Sequence, residues 1–201
     1  MMAGYFEPTE KGAAATLDAV EISIIRSLAV QLLELIGPGD DHLGDDPLAE
    51  LFAEGPSEAP TDPVLRRLFP DAYADPATAA TAQEAEELRA RSAEFRRFTE
   101  NDLRAAKRES ALLVVRTLDA VPVDSEGGGT VELTPDQSRQ WIGALNDLRL
   151  AIAARLDLRD ESDTDELFQL PDSDPRKPMV IAQLWLAGLQ ESLIETLTAG
   201  G

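Results

Sequence analysis

The strongest hydrophobic pattern in the chain lies at "LDAVEISIIRSLAVQLLELIGPG". Val20, Ile24, Ile25, Leu28, Leu32, Leu35 and Ile36 recur at helical spacing, and Ile22 and Leu33 widen the arc. So broad an apolar surface predicts a helix central to the core. Asp18 followed by Glu21 reads as a capping-box start, and Gly37-Pro38-Gly39 as a stop. From about Ala82 to Ala120 the pattern predicts one long helix. On its wheel Leu88, Phe95, Phe98, Leu103, Ala106 and Leu113 share one side. Arg89, Arg96, Arg97, Arg104, Lys107 and Arg108 gather on the other. This arrangement predicts buried Phe and Leu and a cationic face in water.

Further along, Thr134 and Pro135 supply cap and first-turn chemistry for a helix running to about Leu156. Trp141, Leu145, Leu148, Ile152 and Leu156 form its apolar stripe. The last helix is predicted from near Pro178 to about Leu197, with Met179, Ala182, Trp185, Leu186, Leu189 and Leu193 on one face. Short strands are predicted near 5–7, 14–17 and 130–133, forming a small sheet between the N-terminus and the middle of the chain. A strand, a cap and an amphipathic helix thus occur twice, a weak internal echo.

Two stretches interrupt this pattern. Residues 38–81 are an acidic, Pro- and Gly-rich excursion, read as flexible. Within it Asp46-Pro47 and Asp62-Pro63 each start a short helix, ending near Phe52 and Phe69. Leu48, Leu51, Phe52, Leu65, Leu68 and Phe69 then cover part of the core, with a partner-binding lid as the alternative. The polar hinge "DESDTDELFQLPDSD" holds a helical turn or two. Together these elements predict a mainly α fold: one helical-bundle domain over 1–201 with a small β element.

Composition narrows the function. The chain has 38 acidic and 18 basic residues, a formal charge of −20. Phosphate contacts need net cationic surface, so direct nucleic-acid binding and adsorption to anionic membranes are disfavoured. A hydrophobic content of 43% is enough for a core. The absence of Cys removes disulfides, thiol switches, thiolate nucleophiles and thiolate metal sites. "MMAGYFEPTEKG" lacks the cationic start and apolar run of a signal peptide. Charges interrupt the longest apolar segments, so no membrane span is predicted.

Catalytic motifs are sparse. The single His, His42, lies in a Gly/Asp-rich loop and reads as solvated. "SEGGGT" lacks the Lys and the helix of a phosphate-binding loop. "DDHLGDD" and the Asp160, Asp163, Asp165 cluster lack calcium-loop spacing and read as solvated acidic loops. No catalytic residue, metal or cofactor is predicted. Polar groups do intrude on the apolar stripes: Asp102, Glu109 and Arg116 beside Phe95 and Phe98, and Asn146, Asp147 and Arg149 near Trp141. Buried groups of this kind need partners, so cross-helix pairs are predicted, Glu109 or Asp102 with Arg149 for example. A carboxylate–Arg active site built from Asp102, Glu109, Asp147 and Arg149 is the alternative. A structural homo-oligomer, with a homodimer as its simplest form, is a further one.

The segments "SLAVQLLELIG", "DPLAELF", "DPVLRRLFPDAY", "EFRRFTENDLR", "WIGALNDLRLAIAARL" and "DTDELFQLPDSDPRKPMVIAQLWLAGLQESLIE" span nearly the whole chain. Together they resemble an actinobacterial family of unknown-function domains that includes an oxidative-stress-response regulator. The resemblance implies a cytoplasmic protein encoded near a Clp protease adaptor, associating with a stress sigma factor to tune transcription. It implies no enzymatic activity. Thiol sensing in that regulator uses a cysteine pair, which this chain lacks. The expected function is therefore non-enzymatic regulation through a protein partner. Arg96, Arg97, Arg104, Lys107 and Arg108 are the predicted docking residues. Arg176 and Lys177 in the "DPRKPM" turn are a second candidate.

Overall fold

The computed structural model describes residues 4–38, 55–73, 76–159 and 161–199. In chain order the elements are β1 (Glu7–Thr9), β2 (Gly12–Leu17), α1 (Ala19–Ile36), α2 (Pro63–Leu68), a 3₁₀ turn (Pro76–Thr78) and α3 (Ala82–Asp119). β3 (Gly129–Leu133), α4 (Pro135–Arg155), α5 (Glu161–Phe168) and α6 (Lys177–Ala199) complete the order. The fold is mainly α, as the periodicity predicts. The His42 loop and the predicted helix ending near Phe52 lie outside the described residues.

Local chemistry explains where the helices begin. At α1 the Asp18 carboxylate accepts from the Val20 and Glu21 N–H groups, while Glu21 accepts from the Asp18 N–H at 2.9 Å. At α4 Thr134 and Gln137 make the same reciprocal pair, with Pro135 in the first turn. Asp62 caps α2 through the Val64 and Leu65 N–H groups, and Pro63 occupies its first turn. Each capping oxygen satisfies backbone donors that the helix itself leaves open. Gly37 ends α1 at φ 87, a conformation a side chain would strain.

The sheet is antiparallel in the order β1-β2-β3, with Ala13 opposite Leu133 and Leu17 opposite Gly129. The first strand falls at Glu7–Thr9, later than the predicted 5–7. Tyr5 instead packs against α6 at Gly188, where an added Cβ would lie 2.7 Å from its ring. The two strand–cap–helix units are therefore neighbours through β2 and β3.

One hydrophobic cluster joins residues from Phe6 to Leu193. Trp141 is fully buried at its centre, with Phe6 edge-on at 5.6 Å. Its indole N–H donates to Thr117 Oγ1 at 3.0 Å, so burial leaves that donor satisfied. Leu145, Leu148 and Ile152 continue the predicted stripe, and Leu186, Leu189 and Leu193 face it from α6. Leu68 and Phe69 are buried and Leu65 partly so, giving the Asp62-Pro63 helix its predicted covering role.

Two packing expectations are corrected. α1 buries Ile25, Ala29, Leu32 and Ile36 but leaves Val20 and Ile24 exposed, so it lies against the core rather than through it. The second correction concerns α3. Its Phe stripe faces water: Phe95 is 47% exposed and Phe98 66%. Its Arg stripe faces inward: Arg96 is 5% exposed and Glu100 3%. Among the described residues, no helix is long and apolar enough to cross a membrane.

Candidate functional site

The inverted stripe of α3 is the most concentrated ionic cluster among the described residues. Buried Glu100 is its hub. Arg96 Nη1 donates to Glu100 Oε2, and Arg104 donates to Glu100 Oε1 from Nε at 2.9 Å and from Nη2 at 2.7 Å. The same guanidiniums then reach other elements. Arg96 Nη2 donates to the Phe69 carbonyl at 3.1 Å and to Asp71 Oδ1 at 2.8 Å. Arg104 Nη1 donates to the Ile36 carbonyl at 2.9 Å, and its guanidinium lies 4.4 Å from the centre of the Phe69 ring. Arg108 Nη1 donates to the Gly37 carbonyl.

These carbonyls belong to helix ends. Ile36 and Gly37 close α1, whose last turn carries no basic residue of its own. Phe69 is the C-cap of α2. The last carbonyls of a helix have no intrahelical donor and carry its negative dipole end. α3 thus lends its cations to the ends of α1 and α2. The concentration of positive charge in an acidic chain follows from that geometry. Burial alone disfavours the Arg96 charge, but the hydrogen bonds and charges of Asp71 and Glu100 outweigh it and hold its pKa above the usual range.

Lys107 leaves the cluster and crosses to α4, where Nζ donates to Asp147 Oδ1 at 2.6 Å. Burial pushes the Asp147 carboxyl above its ordinary pKa, against the opposing pull of Lys107. Arg97 lies 5.8 Å from the Phe98 ring centre, and its carbonyl accepts from the Gly55 N–H at 2.7 Å. The "DPRKPM" cations follow the same rule. Lys177 Nζ donates to the carbonyl of Phe168, the last residue of α5, and to that of Leu170 beyond it, and lies 4.6 Å from the Phe168 ring centre. Arg176 forks onto Asp174 at 3.1 and 3.0 Å and holds that carboxyl below its usual pKa.

The predicted docking residues Arg96, Arg104, Lys107, Arg108, Arg176 and Lys177 thus each make an ion pair or a hydrogen bond within the chain. The predicted pairing of Glu109 or Asp102 with Arg149 is replaced. Glu109 pairs with Arg116 at 3.2 Å in solvent, and Asp102 is exposed. Arg149 Nη1 donates to Gln190 Oε1 at 2.5 Å. Asp102, Glu109, Asp147 and Arg149 do not converge. Among the described residues no group of acids and His could hold a metal ion.

A small crevice of ≈ 40 Å³ borders the cluster, lined by Phe69, Asp71, Ser92, Phe95, Glu100 and Leu103 among others. The Ser92 hydroxyl is buried there without a hydrogen-bond partner. A second crevice, of ≈ 20 Å³, lies between α1 and α4. Two wider depressions, of ≈ 400 and 410 Å³, are open to solvent beside the sheet. Glu10, Lys11 and Glu132 line the first, and Asp18, Glu21, Asp124 and Glu126 the second, where Asp18, Glu21 and Asp124 accept backbone N–H groups of a helix start and a turn.

The chain matches the family described as Domain of unknown function (DUF2017) over residues 2–197. It belongs to the DUF2017 family. Relatives named "Oxidative stress regulator AosR" occur in Mycobacterium tuberculosis and Mycobacterium bovis. Each is 32% identical over 185 residues, covering 88% of this chain and 78% of the relative. A Mycobacterium leprae relative is 31% identical over 188 residues, covering 89% of this chain and 79% of its own length. No solved structure matches the chain.

Proposed function

We propose that this DUF2017 protein is a cytoplasmic, non-enzymatic regulator of the oxidative-stress response that acts through protein contacts. The supporting observation is the 32% identity, across most of both chains, to proteins named as oxidative stress regulators. The scattered positions of Asp102, Glu109, Asp147 and Arg149 favour a binding protein over an enzyme. A sigma factor is the partner class that the family resemblance suggests. These 201 residues contain no Cys, so the oxidative signal reaches them through a partner or through abundance, not through a thiol of their own.

The test is genetic and biochemical together. Deletion of the gene in its native host should lower survival under peroxide and change a set of stress transcripts, and complementation should restore both. Affinity capture from peroxide-treated cells should enrich a sigma factor. Unchanged survival and unchanged transcripts in the deletion strain would overturn the regulatory reading. Capture that never enriches a sigma factor would overturn the partner class alone.

A further inference from the structure

Inversion of α3 leaves an apolar surface that the other described residues leave largely open. Phe95, Phe98 and Leu103 are 47%, 66% and 40% exposed, and Tyr73, 43% exposed, stacks edge-on to Phe95 at 6.4 Å. Phe95 and Leu103 also form walls of the ≈ 40 Å³ crevice, where the buried Ser92 hydroxyl lacks a partner. Aromatic side chains around a small pocket with an unsatisfied polar atom are the anatomy of an anchor site.

The surrounding charge indicates what such a site would take. Exposed carboxylates rim it at Glu94 and Asp102, and Asp71 beside them is already held by Arg96. Of the rim cations, Arg91 is exposed and Arg97 lies over Phe98. The other cations of this stretch, Arg96 and Arg104, are committed to Glu100 and to helix ends. The chain as a whole carries −20, so its field draws cationic partners and repels acidic ones. We propose that the Tyr73–Phe95–Phe98–Leu103 surface, with its Ser92 crevice, docks a basic amphipathic helix of a protein partner. Apolar side chains of that helix cover Phe95 and Phe98, and one of them enters the crevice. Its Lys and Arg residues meet Glu94 and Asp102. This assignment rests on the protein-contact reading above and adds the partner's chemistry to it.

The test uses the full chain and a fluorescent helical peptide of Leu and Lys with its Leu residues on one face. A control peptide carries Glu in place of Lys. Binding is read by anisotropy for the native chain, for F98S, and for F95S/F98S, with circular dichroism to confirm folding. Phe98 is so exposed that F98S alone keeps the test valid if the double variant unfolds. The expected result is binding of the basic peptide only, weakened about tenfold by F98S and more by the pair, in the range of interface anchors. Equal binding to native and variant chains would overturn the proposal, because charge alone would then explain the affinity. Sedimentation is run in parallel. A native dimer that F98S converts to monomer would overturn it in favour of a second copy as the occupant. If cellular capture still succeeds with F98S, the surface is wrong while the regulatory reading stands.

Discussion

The two halves of α3 bury the same side of one helix with opposite chemistry. Toward its N-terminus the inward face is Arg96, Glu100 and Arg104; toward its C-terminus it is Ala111, Val114 and Leu118. Helical spacing places all of these on one continuous stripe. The difference lies in what each half meets. The first half meets the ends of α1 and α2, where carbonyls await donors. The second runs among the buried residues of the core, Val114 and Leu118 packing in the cluster that holds Trp141. An ionic interior is thus no anomaly where helix ends converge, provided that every charge has a partner.

The largest effect should come from Glu100→Ala. It leaves Arg96 with Asp71 and the Phe69 carbonyl, and Arg104 with the Ile36 carbonyl and the Phe69 ring. Loss of one member of a buried ionic group costs about 3–5 kcal/mol. Leu118→Ala in the apolar half should cost somewhat less on average, about 2–5 kcal/mol, by leaving a cavity. Urea unfolding of both variants gives the comparison directly. A Glu100→Ala cost below about 1 kcal/mol would mean that the two halves are not equivalent parts of one core, since that is the range of surface pairs.

A smaller effect separates the two halves by pH. Asp147 is paired with Lys107 yet its pKa is raised by burial, so the folded chain holds the Asp147 proton more tightly than the unfolded chain. A raised carboxyl pKa means that stability from this group is present in acid. It is lost as pH rises from the unfolded value of about 3.9 to the folded one. Relative to Asp147→Asn, the native chain should lose stability across that window and run parallel above it. A gain with rising pH would show that Lys107, not burial, controls the site. Least of all should change in Phe98→Ser, whose cost should stay within about 0.5 kcal/mol because the ring is largely in solvent.

Helix starts were the most legible part of this fold. Asp18 with Glu21, Thr134 with Gln137, and Asp62 with Pro63 act over one turn, so the sequence carries both donor and acceptor. The orientation of α3 was legible only in part. Asp102, Glu109 and Arg116 on the Phe side were a sign of solvent, and Ala111, Val114 and Leu118 continued the Arg side inward. What hid the answer was the target of the cations. The carbonyls of Ile36, Gly37 and Phe69 exist in every sequence, and only tertiary placement aims them at an Arg. The Lys107–Asp147 pair was missed for a related reason: the rotation of α4 against α3 decides whether Asp147 or Arg149 faces across.

The central claim is that the Arg stripe of α3 is interior. Labelling of the native chain with phenylglyoxal, read residue by residue by mass spectrometry, tests it most directly. Arg91, on the solvent side of the same helix, should be modified fully while Arg96 stays unmodified, and urea should make both react alike. Equal modification of Arg91 and Arg96 in the folded chain would contradict the account.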